Sequence, residues 1–300
     1  MARDDRYLVG LIGSGIGSSM SPALHEREAD RQGLRYFYQL IDLDSAGRGP
    51  ASPGVDAAAP AGDVGALLAA ARRLGFRGLN ITHPAKQDVV QHLDVLAPEA
   101  AELGAVNTVL FEPGRTIGHN TDRYGFATGL ARALPGVSTE RVVLLGAGGA
   151  GAAVASALAA AGTRWLIVAD VDPDRAGRLA RTMAVHPGTT VEPVPLHAVP
   201  DRLATADGLV NATPIGMEGH PGTPIDPGHL HPGLWVADVI YRPLLTPLIR
   251  AAKERGCRIA DGGGMVVHQA AASFQLFTGR RPDEERMFTD FRQLADLSQM

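Results

Sequence analysis

The chain has 300 residues, of which 45% are hydrophobic and 20% charged, and its net charge is −4. This composition is typical of one or two globular domains, and the charge argues against nucleic acid or an anionic membrane as a partner. No apolar run reaches the roughly 18 residues that span a bilayer. Acidic residues near the start predict no signal peptide, and the single cysteine, Cys257, fits a reducing cytoplasm.

In the first third of the chain, alternating apolar segments predict an α/β arrangement. The predicted strands are residues 7–12, 36–43 and 78–82, and the predicted helices are residues 23–33 and 64–74. Residues 45–62 are rich in Gly, Ala and Pro without periodicity, which predicts an exposed surface loop.

Two serines stand in the loop between the first predicted strand and helix. Ser19 and Ser21 come just before Pro22, a residue that suits the first position of a helix. Hydroxyls and free N–H groups at a helix N-terminus suit a carboxylate ligand. The alternative is that Ser21 only caps the helix.

Lys86 is the first candidate for acid–base chemistry, and we expect it one turn into a helix after the strand 78–82. By itself, a lysine there is most simply a solvated charge. However, Asn80 and Thr82 share a face of the strand, Asn107 stands at the start of another predicted strand, and Asp122 comes after a short hairpin-like stretch. Such a row of short polar residues at strand ends is how a polyhydroxylated ligand would be held.

The strongest motif is Gly146-x-Gly148-x-x-Gly151, between an apolar strand at 142–145 and an Ala-rich helix at 152–161. The first glycine makes a tight turn, the second lets the backbone approach a pyrophosphate, and the third lets helix and strand pack closely. The helix N-terminus then offers N–H groups to the phosphates. This context predicts a dinucleotide site rather than a turn without a ligand.

Asp170 ends the next predicted strand, 165–169, about twenty residues after the glycines, where a ribose-binding carboxylate belongs. Such a carboxylate repels a 2′-phosphate and favours NAD over NADP. Arg175 could accommodate that phosphate, but Asp172 and Asp174 surround it with negative charge. Asp172 is also the predicted N-cap of the following helix.

The elements after Asp170 give weaker indications of functional residues. Strands are predicted at residues 208–211, 234–241 and 258–260, and helices at residues 124–133, 246–255, 265–278 and 283–297. His229-x-His231 lacks the accompanying cysteines or carboxylates of a metal site, so no metal is predicted.

Taken together, the motifs along nearly the whole chain resemble those of the shikimate/quinate dehydrogenase family. The matching segments are Ser19-Met20-Ser21-Pro22, Asn80-Ile81-Thr82-His83-Pro84-Ala85-Lys86, Ala105-Val106-Asn107-Thr108, Asn120-Thr121-Asp122, Asn211-Ala212-Thr213-Pro214, Asp238-Val239-Ile240-Tyr241-Arg242-Pro243 and Met265-x-x-x-Gln269. The residues after the second strand of the dinucleotide unit, Ala169-Asp170-Val171-Asp172, are similar to the NAD-using quinate/shikimate branch.

The resemblance implies a catalytic pair, Lys86 and Asp122, and two groups of binding residues. The implied substrate contacts are Ser19, Ser21, Thr82, Asn107, Tyr241 and Gln269. The assigned cofactor contacts are Gly146, Ala147, Gly148, Gly149, Ala150, Gly151, Asp170, Arg175, Thr213, Val239, Gly262 and Met265. The reaction it implies is reversible NAD-dependent oxidation of a ring hydroxyl of shikimate or quinate.

The implied fold has an α/β substrate-binding domain, residues 1–122 plus 264–300, and a doubly wound Rossmann domain, residues 123–263, with a cleft between them. We expect a small polyhydroxylated carboxylate as substrate, no nucleic-acid or membrane partner, and a monomer or homodimer. NADP-dependent shikimate dehydrogenase and an aminoshikimate-type variant remain open.

The sequence argues against two other classes of protein. A methylenetetrahydrofolate dehydrogenase type would need stacking aromatics near Lys86, where the sequence has none. A non-catalytic NAD-dependent regulator would be expected to have lost Lys86 or Asp122, and both are present.

Overall fold

A computed structural model describes residues 6–44 and 63–297, so the loop predicted at 45–62 lies outside the described residues. Within them the strands form two six-stranded sheets, and the chain divides into two compact units. The first unit consists of the described parts of Met1–Thr121 and Ala270–Phe291, and the second of Asp122–Gln269 and the described residues from Arg292. The boundary between the two units falls after Gln269, inside the helix Gly263–Thr278. The domain boundary expected at residue 264 stays a prediction.

The first unit contains a mixed sheet. Its strands are β1 (Arg6–Gly13), β2 (Arg35–Asp42), β3 (Gly78–Ile81), β4 (Val95–Leu96), β5 (Thr108–Glu112) and β6 (Arg115–His119). Its first helices are α1 (Ser21–Arg31), α2 (Val64–Arg73) and α3 (Pro98–Leu103). The strand order is β2-β1-β3-β5-β6-β4, with β1 parallel to both neighbours and β5 antiparallel to both of its own.

The second unit contains a fully parallel sheet. Its strands are β7 (Arg141–Leu145), β8 (Trp165–Ala169), β9 (Thr190–Pro193), β10 (Gly208–Asn211), β11 (Trp235–Asp238) and β12 (Arg258–Ala260). The other α-helices among the described residues are α4 (Thr121–Ala133), α5 (Gly149–Ala160), α6 (Pro173–Met183), α7 (Val199–Leu203), α8 (Pro247–Glu254), α9 (Gly263–Thr278) and α10 (Glu284–Leu297).

The strand order of this sheet, β9-β8-β7-β10-β11-β12, is that of a doubly wound dinucleotide-binding fold. Val142, Val143 and Leu144 are fully buried because helices cover both faces of a parallel sheet. The strand order reverses between β7 and β10, and ligands of such sheets bind at the carboxyl ends beside this point. The predicted two-domain α/β class is confirmed.

Local capping explains where several helices begin. The carboxylate of Asp172 accepts a hydrogen bond from the N–H of Asp174 at 3.0 Å, as the predicted N-cap of α6 should. The hydroxyl of Thr246 accepts from the N–H of Ile249 at 3.2 Å and begins α8.

The C-terminal segment completes the core of the first unit. Phe274 of α9 stacks on Tyr36 of β2, with ring centroids 5.6 Å apart. His25 of α1 lies against both rings and contacts the Tyr36 hydroxyl through Nδ1 at 2.8 Å. Burial lowers the pKa of His25 to about 3, so its ring is neutral. Asp290 of α10 accepts a bidentate pair of hydrogen bonds from Arg31 of α1.

Candidate active site

In the first unit, the loop after β1 and the turn after β3 are joined by backbone hydrogen bonds. The N–H of Ser14 donates to the carbonyl of His83 at 2.9 Å, and the N–H of Thr82 donates to Ile12 at the same distance. Gly13 lets the two segments meet, since a Cβ there would lie 2.2 Å from the Thr82 methyl group. The serine loop and the segment carrying Lys86 are therefore neighbours.

Ser19 and Ser21 stand at the N-terminus of α1, and both are half-buried. The helix begins at Ser21 itself, and its N-cap residue Met20 has no side-chain capping bond. The alternative reading, that Ser21 caps the helix, is therefore wrong. Instead the Ser21 N–H donates to Ser19 Oγ at 3.3 Å, which leaves hydroxyls and the helix N-terminus together, as a carboxylate ligand requires.

Lys86 lies in a turn and not in a helix, which corrects the expected local structure. Its carbonyl accepts a hydrogen bond from the N–H of Val106 at 2.8 Å, so it is not used for an α-helical bond to Val90. A 3-10 helix follows only at Asp88–His92. The half-buried Lys86 is thereby held beside the segment that leads to Asn107.

Asn107 is 3% exposed and ties the sheet to the start of α4. Its Oδ1 accepts from the Thr121 N–H at 2.8 Å, and its Nδ2 donates to the Thr121 hydroxyl at 2.9 Å. Asp122 follows directly in the chain and is 5% exposed. Asn107 therefore fixes the position of Thr121, the residue that precedes Asp122.

Asn80, in contrast, is buried and hydrogen-bonded within the protein. It is 6% exposed, and its side chain bonds to Tyr38, to Thr108 and to the Asn107 carbonyl. The polar atoms of the Asn80 side chain are therefore engaged by protein groups on neighbouring strands.

In the second unit, the glycine turn has the backbone geometry that the motif predicts. Gly146 has φ +95°, and a Cβ on Gly151 would lie 2.0 Å from the Gly146 carbonyl oxygen. A Cβ on Gly148 would have no atom within 4 Å, so space remains above the turn for a ligand. The helix α5 starts with N-cap Gly148 and no side-chain cap, and its first N–H groups suit phosphate oxygens.

Asp170 anchors this turn as well as ending β8. Its Oδ2 accepts from the Ala147 N–H at 2.7 Å, and its Oδ1 accepts from the Asp172 N–H at 2.9 Å. The carboxylate is 9% exposed and keeps acceptor capacity for ribose hydroxyls. Arg175 is exposed and lies 3.5 Å from the Asp172 carboxylate. These residues fit the adenosine half of NAD.

The other assigned cofactor and substrate residues follow strand ends of the second unit. Thr213 is fixed by Asn211, whose Oδ1 accepts from its N–H at 3.1 Å and its hydroxyl at 2.7 Å. A Cβ on Gly262 would lie 2.3 Å from the carbonyl oxygen of Ile240, so this turn requires glycine. Partial burial raises the pKa of the Tyr241 phenol. The half-buried residues of this group are Thr213, Val239, Tyr241, Met265 and Gln269.

A buried carboxyl group that the sequence analysis did not single out lies between these segments. Asp238 accepts hydrogen bonds from Asn211 Nδ2 at 3.1 Å, from the Ile240 N–H at 3.1 Å and from the Thr246 hydroxyl at 2.8 Å. Burial raises its pKa to about 6, although all three bonds oppose that rise. The sequence signal for this group is an aspartate at the end of an apolar strand.

Metal and membrane features are not found in the part of the chain that the structure describes. No group of three or more His, Cys, Asp or Glu residues there could hold a metal ion. His231 Nε2 lies 3.2 Å from the Leu203 carbonyl. Across residues 6–44 and 63–297, no helix has the length and apolarity needed to cross a bilayer.

Comparison with protein families matches three parts of the chain. The shikimate dehydrogenase substrate-binding domain matches residues 11–109, and the shikimate/quinate 5-dehydrogenase model matches residues 130–216. The shikimate 5′-dehydrogenase C-terminal domain matches residues 262–287.

Individual relatives match over nearly their whole length. The NADP-dependent shikimate dehydrogenase of Streptomyces avermitilis is 57% identical, with 97% of each chain covered. The NAD-dependent quinate/shikimate dehydrogenase of Corynebacterium efficiens is 47% identical over 97% of this chain and 99% of its own. A solved quinate dehydrogenase of Corynebacterium glutamicum in complex with NAD is 45% identical, covers 96% of this chain and 99% of its own, and has a TM-score of 0.87. With this coverage and identity, and with the serine, lysine and glycine motifs in the places described, the chain belongs to the shikimate/quinate dehydrogenase family.

Proposed function

We propose that this protein catalyses the reversible NAD-dependent oxidation of the ring 3-hydroxyl of shikimate, quinate or both, to 3-dehydroshikimate or 3-dehydroquinate. The observation that carries the proposal is the Gly146–Gly151 turn anchored by Asp170, together with the hydrogen-bonded Ser19, Lys86 and Asn107 segments. The glycine turn supplies a nucleotide site, and the three hydrogen-bonded segments supply polar groups for a polyhydroxylated carboxylate.

The substrate carboxylate is assigned to Ser19 and Ser21 at the N-terminus of α1. The hydroxyls and the ring of the substrate are assigned to Thr82, Asn107, Tyr241 and Gln269. Holding the ring at several points fixes which carbon reacts.

In the proposed mechanism, the reacting carbon loses a hydride while its hydroxyl loses a proton. When bound, NAD supplies the hydride acceptor. Lys86 in its neutral form takes the hydroxyl proton, and it returns that proton in the reduction direction. Asp122 pairs with the Lys86 amine and accepts a hydrogen bond from the substrate. In this proposal, residues 1–122 plus 264–300 form the substrate-binding domain, and residues 123–263 form the cofactor-binding domain.

NAD is preferred in this proposal because the Asp170 carboxylate would stand where a 2′-phosphate would bring two more negative charges. NADP is the second candidate, favoured by the exposed Arg175 and Arg178 and by the name of the 57% identical relative. Both arginines lie within 4 Å of the Asp172 carboxylate, at 3.5 and 3.7 Å, so part of their charge is already offset.

The proposed setting is the cytoplasm, with a monomer or homodimer and no nucleic-acid or membrane partner. The net charge of −4 and the single buried cysteine support this setting.

Initial rates with NAD and NADP, each against shikimate and quinate, test the proposal directly. We expect the highest kcat/KM with NAD. Equal or better use of NADP would overturn the cofactor assignment, and no oxidation of either substrate would overturn the function.

The role of Lys86 is tested with Lys86→Ala, which should lower kcat on the order of 10²–10⁴-fold, as expected for a lost acid–base group. The exposed Lys253 provides the matched control, Lys253→Ala, and should leave kcat unchanged. If Lys86 only holds the substrate and Asp122 is the base, the variant would mainly raise KM and keep the shape of the pH profile. Near-normal turnover of Lys86→Ala at saturating substrate would exclude the general-base role.

A further inference from the structure

We propose that Asp238 is a positioning residue for the nicotinamide half of the cofactor, because its carboxylate ties together the segments that follow β10 and β11. The inference rests on the proposed function, since it concerns how the proposed cofactor contacts Thr213 and Val239 are held. It uses only residues of the second unit. The proposed mechanism gives Asp238 no role, although this carboxyl group is 3% exposed and ends a buried strand.

The two halves of the parallel sheet divide the cofactor between them. The half formed by β7, β8 and β9 carries the glycine turn and Asp170, which fit the pyrophosphate and the adenosine ribose. In a doubly wound fold, the other half of the sheet holds the second nucleotide. That half consists of β10, β11 and β12, and Thr213 and Val239 follow the first two of these strands. These two residues are therefore assigned to the nicotinamide nucleotide.

The segment after β10 is held by Asn211, the last residue of that strand, which is fully buried. As described above, Asn211 Oδ1 accepts from both the N–H and the hydroxyl of Thr213. Its Nδ2 lies 3.2 Å from the Ile215 carbonyl oxygen and donates to Asp238 Oδ1 at 3.1 Å. The strand register pairs Asn211 with Asp238, so this last bond joins the ends of neighbouring strands.

The segment after β11 is closed by the two oxygens of Asp238. Its Oδ1 accepts from the Ile240 N–H at 3.1 Å, two residues along the chain, and its Oδ2 accepts from the Thr246 hydroxyl at 2.8 Å. Thr246 is fully buried and begins α8. Val239 lies between Asp238 and Ile240, so the carboxylate holds the chain on both sides of this cofactor contact.

A carboxylate suits this junction because it can accept all three bonds at once. Its pKa of about 6, raised by burial, leaves the group mostly ionised at neutral pH. An asparagine at this position could keep the same bonds, since its oxygen accepts and its nitrogen can donate to the Thr246 hydroxyl. An alanine could keep none of them and would deprive three buried donors of this acceptor.

Equilibrium binding of NAD and of ADP to the purified protein tests the proposal. ADP carries the adenosine ribose and both phosphates but lacks the nicotinamide and its ribose. In Asp238→Ala we expect the Kd for NAD to rise on the order of tenfold, as for one lost hydrogen bond, and the Kd for ADP to stay within about twofold of wild type. Asp238→Asn should bind both ligands as the wild type does.

Asp226→Ala is the matched control, because the exposed Asp226 also accepts from an N–H two residues along the chain, that of Gly228 at 2.8 Å. It should leave both dissociation constants unchanged. A purely structural role of Asp238 would lower the melting temperature of Asp238→Ala and change the Kd values for NAD and ADP by the same factor. An unchanged ratio of the two constants in the folded variant would overturn the proposal.

A second pair of variants keeps the test decisive if Asp238→Ala does not fold. Thr246→Val keeps the shape of the side chain and removes the hydroxyl that reaches Asp238, so the ratio of the Kd for NAD to the Kd for ADP should rise. Thr246→Ser keeps the hydroxyl and should show the wild-type ratio. A wild-type ratio in Thr246→Val would also overturn the proposal.

The binding measurements separate this inference from the function on which it rests. Wild-type activity with an unchanged ratio in Asp238→Ala overturns the positioning role alone. A wild-type protein that oxidises neither shikimate nor quinate overturns the proposed function, whereas the ratio of the dissociation constants still decides the role of Asp238.

Discussion

The buried Asp238 should make the stability of the second unit depend on pH in a predictable direction. Burial raises its folded-state pKa from 3.8 to about 6, so the folded protein binds a proton at this site more tightly than the unfolded chain does. Its stabilising contribution is complete below about pH 3.8 and is lost as pH rises through 6. A difference of about two pH units corresponds to a free energy of about 3 kcal/mol.

Asp238→Asn isolates this contribution because asparagine has the same shape and does not ionise near neutral pH. Its oxygen can keep the bonds from Asn211 and Ile240, and its nitrogen can donate to the Thr246 hydroxyl. The free energy of unfolding of the variant, relative to wild type, should therefore increase by up to about 3 kcal/mol between pH 4 and pH 7.

Urea unfolding of both proteins across this pH range measures the difference. Asp174→Asn, at an exposed position, is the control for the loss of one negative charge. A difference between Asp238→Asn and wild type that stays constant from pH 4 to pH 7, or that changes in the opposite sense, would refute the reasoning.

Three further predictions follow from the described contacts. Asp170→Ala should weaken NAD binding by roughly 10- to 150-fold, the value of one charged hydrogen bond, measured by isothermal titration; an unchanged affinity would contradict the ribose assignment. In Gly151→Ala the new Cβ would lie 2.0 Å from a backbone oxygen, so unfolding should become easier by about 1–3 kcal/mol, whereas Gly148→Ala should keep its stability and lose NAD affinity; equal stability of the two variants would argue against this packing. Asp290→Ala removes the partner of Arg31 and should lower the free energy of unfolding by about 1–3 kcal/mol at pH 7. Because hydrogen bonding to Arg31 lowers the pKa of Asp290, this loss should shrink as pH falls into the acidic range, and a loss that grew there would be inconsistent with the ion pair.

The parts of the fold that depend on short-range patterns could be predicted from the sequence. The strand β8 was expected at residues 165–169, and the cap of α6 was expected at Asp172, and both are confirmed. Buried strands of a parallel sheet are continuous apolar runs, and a capping carboxylate acts within three residues, so each signal lies within one segment.

Features fixed by distant segments could not be predicted. The helix expected at Lys86 does not form, because a hydrogen bond from Val106 takes up the carbonyl that a helix would use. The hydrogen bond between Asn80 and Tyr38 could not be predicted either, since Tyr38 lies on another strand. No local periodicity encodes such pairs. For the same reason, the bonds of Asp170 to the glycine turn were not foreseen, although its place at the end of β8 was.

The aromatic and charged contacts between α1, β2 and the C-terminal segment affect the order in which the chain can fold during synthesis. The first unit takes its closing residues, among them Phe274 and Asp290, from beyond the whole of Asp122–Gln269. At translation rates of about 5–20 residues per second, this intervening stretch takes roughly 7–30 s to emerge. During that interval His25 and Tyr36 lack the ring that covers them in the finished protein, while the second unit already has its six strands. The parallel sheet of the second unit can therefore form first on the ribosome, whereas the core of the first unit, although that unit begins the chain, is closed only after Phe274 and Asp290 have emerged.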